Sequence, residues 1–214
     1  MVMTVVKSLP SFARSRRNRG TPREELRQRI AHAALTLFHE AGYDRVSVDR
    51  IVARAAVSKG AFFNFFPTKA DVLLVYFDEI DRRLVALRAR LDPRQPQLAL
   101  EKFFAKAETL LRSEGPLIET LARAIWSIPA LLEADRASAL RDRLGFKAFF
   151  ERAQDKGTID RKVNPDVAGD AIGDLWTGSV LLWLGLGRTE SLAKTMRPKL
   201  RLLFDGLGPR KEKR

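Results

Sequence analysis

Apolar positions recur every three or four residues through most of the chain, and nowhere alternate with polar ones for long enough to make a strand. From Arg23 the series Leu26, Ile30, Ala33, Ala34, Leu37, Phe38 and Ala41 predicts a helix that Gly42 closes. Ser47 then stands where a cap belongs, before a short helix whose buried side is Val48, Ile51, Val52 and Ala55. Ser58 caps a third helix, and Pro67 ends it, because proline lacks a backbone donor and disfavours helical geometry in the residue before it. Thr68 and Asp71 have capping-box spacing at the head of a longer helix. Its stripe is Leu73, Tyr76, Phe77, Ile80, Leu84, Leu87 and Leu91, and "DPRQPQ" (Asp92 to Gln97) breaks it. The remaining pattern predicts helices over about 98–112, 117–128, 134–156, 166–186 and 189–207. The expected fold is all-α: a small N-terminal bundle, then a larger helical domain sharing the helix that starts near Thr68. No period of about 20–50 residues repeats.

Composition adds constraints. With 45% apolar and 30% charged residues the chain reads as a soluble globular protein, and no apolar run is long enough to span a membrane. The apolar residues near the N-terminus form no continuous block with a cleavage site, so no secretory signal is expected. The absence of cysteine excludes disulfides and thiolate metal ligands, and fits a cytoplasmic location. The net charge of +13 is unevenly placed, since residues 1–69 carry thirteen basic and five acidic side chains. A positive field concentrated there favours a polyanionic partner. A protein merely kept soluble by its charge is the alternative. Residues 1–22 read as a flexible basic arm, with "RSRRNRG" offering Arg16, Arg17 and Arg19 to phosphates or a minor groove, or serving only as a solubilising tail. Residues 209–214 are a second basic tail.

Residues 47–66 have the outline of a helix-turn-helix, whose second helix enters the major groove with its N-terminal residues at base edges. Such a motif accounts for the local residue types. Ser47 and Ser58 provide hydroxyls and open helix starts, where unpaired N–H groups attract phosphate. Gly60 lets backbone approach closely, and Lys59 and Lys69 place charge at the two ends of the segment. Phe62 and Phe66 are expected in the core, with Phe63 and Phe65 nearer the rim. The stretch is half core and half binding surface.

The run "RIAHAALTLFHEAGYDRVSVDRIVARAAVSKGAFFNFFPTKADVLL" (Arg29 to Leu74) resembles the DNA-binding domain of TetR-family transcriptional regulators. The resemblance implies a three-helix helix-turn-helix DNA-binding domain over 23–69 and a helical effector-binding and dimerisation domain over 70–208. It implies that Ser47 touches a phosphate and that Lys59 and Gly60 lie nearest base edges. Phe63 stands where many members have a tyrosine that contacts the backbone, and Lys69 where a lysine does the same. Ala61 and Asn64, on the same segment, complete the candidate DNA-binding set with Ser58. Phe63 lacks the tyrosine hydroxyl, and Ala56 replaces a turn glycine. A left-handed backbone at Ala56 would cost on the order of 1 kcal/mol. The expected partner is double-stranded DNA with a palindromic operator, bound by a homodimer that pairs through residues 166–207, and the expected action is repression relieved by a small-molecule effector. Gly169, Gly173 and Gly178 would allow close helix approach there. Trp126, Phe146, Phe150 and Trp176 are candidates for the effector pocket, although aromatics at helical spacing are also what a core needs.

Other chemistry finds little support. His32 and His39, the only histidines, are seven apart rather than four, and "GLG" at Gly185 to Gly187 has neither a third glycine nor a preceding strand. Asp170 and Asp174 lie one turn apart and could touch a metal, but they are a lone pair. No cofactor, metal or catalytic residue is expected, and the chain is not expected to be an enzyme. The competing reading is a basic architectural protein that binds DNA without sequence preference and without an effector.

Overall fold

The computed structural model describes residues 21–206, and among them the chain is all-α, as the periodicity predicts. The helices are α1 (Pro22–Ala41), α2 (Val48–Ala55), α3 (Lys59–Phe63), α4 (Val72–Arg88), α5 (Pro96–Ser113), α6 (Leu117–Ile125), α7 (Pro129–Asp155), α8 (Pro165–Gly185) and α9 (Leu192–Asp205).

Local chemistry sets most of the helix ends. Thr21 Oγ1 accepts from Glu24 N ahead of α1, and Gly42, at φ 83°, closes that helix by donating to the Phe38 carbonyl. The Thr68–Asp71 capping box forms around a single 3₁₀ turn, Lys69–Asp71, which feeds directly into α4. Thr68 donates to Asp71 Oδ2 from its backbone N–H at 2.6 Å and from its hydroxyl at 2.7 Å.

One continuous set of buried side chains joins the two halves, and α4 is the spine between them. It packs on both α1 and α7, and its Asp81 and Arg88 pair with Arg141 and Asp142 of α7. A second tie runs through the α5–α6 turn. The buried Glu114 accepts from the Tyr76 hydroxyl at 3.2 Å and pairs with Arg83 at 2.7 Å, both on α4. At the neighbouring Gly115 an added Cβ would lie 3.3 Å from the His39 ring, so the end of α1 rests on this turn. The His39 Nδ1 is buried there with no hydrogen-bond partner among the described residues.

α7 and α8 make the most extensive helix pair of the larger half. A Cβ on Gly169 would stand 2.7 Å from Lys147 N and 2.9 Å from the Arg143 carbonyl, and one on Gly173 would stand 3.0 Å from Arg143 Cγ. These two glycines thus serve a contact within the protomer, which spacing alone cannot distinguish from a contact between protomers. Gly178 has open space around it. Asp170 and Asp174 face Arg143, at 3.9 and 2.7 Å, rather than a metal, and no group of three metal-ligating side chains occurs among the described residues.

Candidate nucleic-acid interface and effector cavity

The helix-turn-helix is built by two serine caps and one left-handed residue. Ser47 Oγ accepts from Arg50 N at 3.3 Å, and Ser58 Oγ accepts from Ala61 N at 3.1 Å, so each hydroxyl satisfies a donor that the helix start would leave free. Between them Ala56 takes φ 52° and ψ 51°, and its N–H turns back to the carbonyls of Val52 and Ala53. This reversal swings α3 across α2. Phe62 and Phe66 are then fully buried, with ring centroids 5.6 Å apart, and each contributes about 1.5–3 kcal/mol of burial. Phe63 is 45% exposed and meets the Phe62 ring edge-on, while Phe65 is half-buried beneath the guanidinium of Arg23.

The same rotation presents Ser58, Lys59, Gly60, Phe63 and Asn64 to solvent, with Ala61 half-buried beside them and Ser47 exposed at the start of α2. Lys59 Nζ pairs with Asp49 of α2 at 2.8 Å, both side chains being well exposed. Such a pair holds by no more than about 1 kcal/mol, so a phosphate or a base can replace Asp49.

Lys69 has a different environment. Its ammonium donates to the carbonyls of Tyr43 and Val46 at 2.9 and 3.0 Å and lies 4.1 Å from the Tyr43 ring centroid. It ties the start of α4 to the α1–α2 turn, a role that sequence reasoning missed because its partners lie 26 and 23 positions upstream. The arm arginines Arg16, Arg17 and Arg19 lie outside the described residues, as does the tail 209–214.

The larger half contains a cavity of about 110 Å³ between α4, α6, α7 and α8. Trp176 lines it, and the other three aromatic candidates do not. Phe146 and Phe150 are consumed by the core, and Trp126, at 66% exposure, projects from the end of α6. Its walls are Phe77, Ile118, Leu121 and Trp176, with a polar side formed by Asp81, Asp135, Ser138 and Asp142. The sequence-based candidates, all aromatic, include none of these polar residues. The signal was present in α7, where Asp135, Ser138 and Asp142 occupy the same three- and four-residue register as the buried Phe146, Phe149 and Ala153.

Asp142 pairs with Arg88 of α4, whose guanidinium also lies 5.5 Å from the Phe146 ring centroid. Asp81 pairs with Arg141 at 2.7 Å and accepts a short hydrogen bond from the Ser138 hydroxyl. Asp135 has no hydrogen bond or ion pair among the described residues; burial, and then the charge of Asp81, raise its carboxyl pKa above the ordinary range.

Comparison with known proteins places this architecture. Residues 30–76 match the model of bacterial regulatory proteins of the tetR family, a segment that runs from α1 through the helix-turn-helix into α4. Over 183 residues, 81% of this chain and 84% of the relative, the sequence is 30% identical to the transcriptional regulator AcuR of Cereibacter sphaeroides. It is 25% identical over 165 residues, 75% of this chain and 74% of the relative, to the transcriptional repressor KstR of Rhodococcus jostii. Among solved structures, Thermus thermophilus FadR, a TetR-family repressor in complex with lauroyl-CoA, superposes with a TM-score of 0.68 at 25% identity, over 86% of this chain and 96% of that one. With its helix-turn-helix, its all-helical larger half and this similarity over most of its length, the chain belongs to the TetR family of DNA-binding transcriptional regulators.

Proposed function

We propose that the protein is a cytoplasmic, non-enzymatic repressor that binds a palindromic operator as a homodimer and leaves it when a small molecule fills the cavity between α4 and α8. The observation that carries this reading is the divided α3: Phe62 anchors the helix while Lys59, Gly60, Phe63 and Asn64 stand clear of the core. An exposed helix start on a rigid base is what major-groove reading requires.

In this reading Lys59 and Gly60 reach base edges, with Ala61 and Asn64 beside them. Ser47 and Ser58 meet phosphates, and Phe63 packs against sugar or thymine methyl groups without the hydrogen bond a tyrosine would add. Lys69 contributes charge while it holds the α1–α2 turn, and the arm arginines lie along the backbone. The dimer forms through α8 and α9, where Leu182, Leu202 and Leu203 are exposed. Two copies then address half-sites about 34–36 Å apart. The cavity communicates with this surface along α4, since Phe77, Ile80, Asp81 and Leu84 line it while the same helix also packs on α1.

The test is selection of genomic fragments by the purified protein, followed by titration of the enriched duplex against a scrambled one. A palindrome bound at least about a thousandfold more tightly is expected. Equal, salt-sensitive binding to both duplexes would instead identify a nonspecific architectural protein.

A further inference from the structure

The cavity between α4 and α8 sorts its charges unequally. Asp142 has Arg88, and Asp81 has Arg141 and the Ser138 hydroxyl, so two of its three carboxylates are neutralised by partners on α4 and α7. Asp135 faces the same space with no partner among the described residues. Among the described residues no lysine, arginine or histidine lines the cavity, and Arg88 and Arg141 are already paired. An anionic ligand would therefore meet like charge with no cation to offset it, and a neutral ligand would leave the half-buried Asp135 carboxylate without an opposite charge. A cation supplies that charge. Most of the remaining lining is apolar, including Phe77, Ile118, Leu121 and Trp176. Its volume of about 110 Å³ is nearer a single ring than a drug-sized molecule, for which pockets run to roughly 300–1,000 Å³.

We propose that this cavity is a receptor for a compact lipophilic monocation, in which an aryl or alkyl group fills the apolar wall and a protonated amine or quaternary ammonium pairs with Asp135. The proposal rests on the reading of this cavity as the effector site and names the chemistry that site accepts. Charge complementarity selects the ligand class, and volume limits its size.

Benzylamine, benzyl alcohol and benzoate share one shape and differ in charge, so they separate charge selection from filling of space. Calorimetric or ligand-observed NMR titration of the full chain, at constant ionic strength and pH 7, is expected to show benzylamine binding at least about tenfold more tightly than benzyl alcohol, with benzoate not binding. In Asp135→Asn, which keeps the shape and removes the charge, the tenfold preference should vanish while benzyl alcohol binds as before. Equal affinity for amine and alcohol in the wild type, a preference that survives Asp135→Asn, or no binding of any of the three would overturn the proposal. Release of the selected operator, followed by fluorescence anisotropy, judges the underlying reading separately. Selective benzylamine binding without operator release would keep the receptor and remove its effector role. Release by benzyl alcohol or benzoate but not by benzylamine would keep the effector site and overturn its charge selection.

Discussion

Between α2 and α3, Ala56 holds a left-handed backbone in which its Cβ crowds the following carbonyl oxygen, at a cost of about 1–2 kcal/mol. Glycine escapes this crowding but loses more freedom on folding, so Ala56→Gly should stabilise the protein by about 0.5–1 kcal/mol in urea unfolding. Lys69 presents the opposite case, a side chain with two backbone carbonyls to hold. Replacing it with methionine keeps the stem but removes two charge-assisted hydrogen bonds. Lys69→Met should therefore lower stability by about 1–3 kcal/mol in the same assay without DNA. A role confined to a phosphate contact would instead leave stability unchanged and lower only the salt slope of DNA binding, by about one. At Asp135 the shift has a definite sign. Its folded-state pKa is raised, so the folded state binds the proton more tightly than the unfolded one. Ionised Asp135 opposes folding above both pKa values, and this opposition fades as the pH falls through the folded value. Asp135→Asn should raise Tm at pH 7, and the gain should disappear below the unfolded value of about 3.9. Melting curves of both proteins across that range check it.

The glycines of α8 show how one element divides its faces. Gly169 lies against backbone atoms of α7, which have no rotamer through which to yield, whereas Gly178 has nothing within 4 Å. Gly169→Ala should force the two helices apart and cost about 1–3 kcal/mol. Gly178→Ala should stabilise an isolated protomer by about 0.8–1 kcal/mol through helix propensity alone. If Gly178 lies in the dimer, its alanine variant also weakens association, so stability and sedimentation should move in opposite directions. The spacing of these glycines marks α8 as a close-packing helix, and only the placement of α7 shows which of them is already used.

For the whole molecule, the proposed dimer surface is carried by α8 and α9. Leu182, Leu202 and Leu203 are exposed in a chain whose other large apolar residues are mostly enclosed, and a second copy is the occupant the family reading supplies. The double variant Leu182→Glu with Leu202→Glu should sediment as a monomer and keep its helical circular dichroism, since both side chains face solvent in the protomer. It should also lose operator affinity by at least about a hundredfold, because each helix-turn-helix then binds alone. A variant that remains dimeric would move the interface elsewhere.

Most of the helices, their order and the helix-turn-helix were legible because their signals are local. Ser47 and Ser58 accept from N–H groups three residues on, the Thr68–Asp71 box spans four residues, and Gly42 closes α1 on Phe38. The sequence by itself determined these features, since backbone donors at a helix start must be satisfied by what stands nearby. Tertiary structure alone decided what each face meets. It placed Lys69 on carbonyls more than twenty residues away, pressed Gly169 against α7 and enclosed Phe146 and Phe150 in the core. It also left Asp135 without a partner among the described residues, on the polar side of the cavity between α4 and α8. Helical periodicity reports that a side chain turns inward, but whether it meets core, cavity or a second protomer depends on helices distant in the chain, to which a local pattern carries no reference.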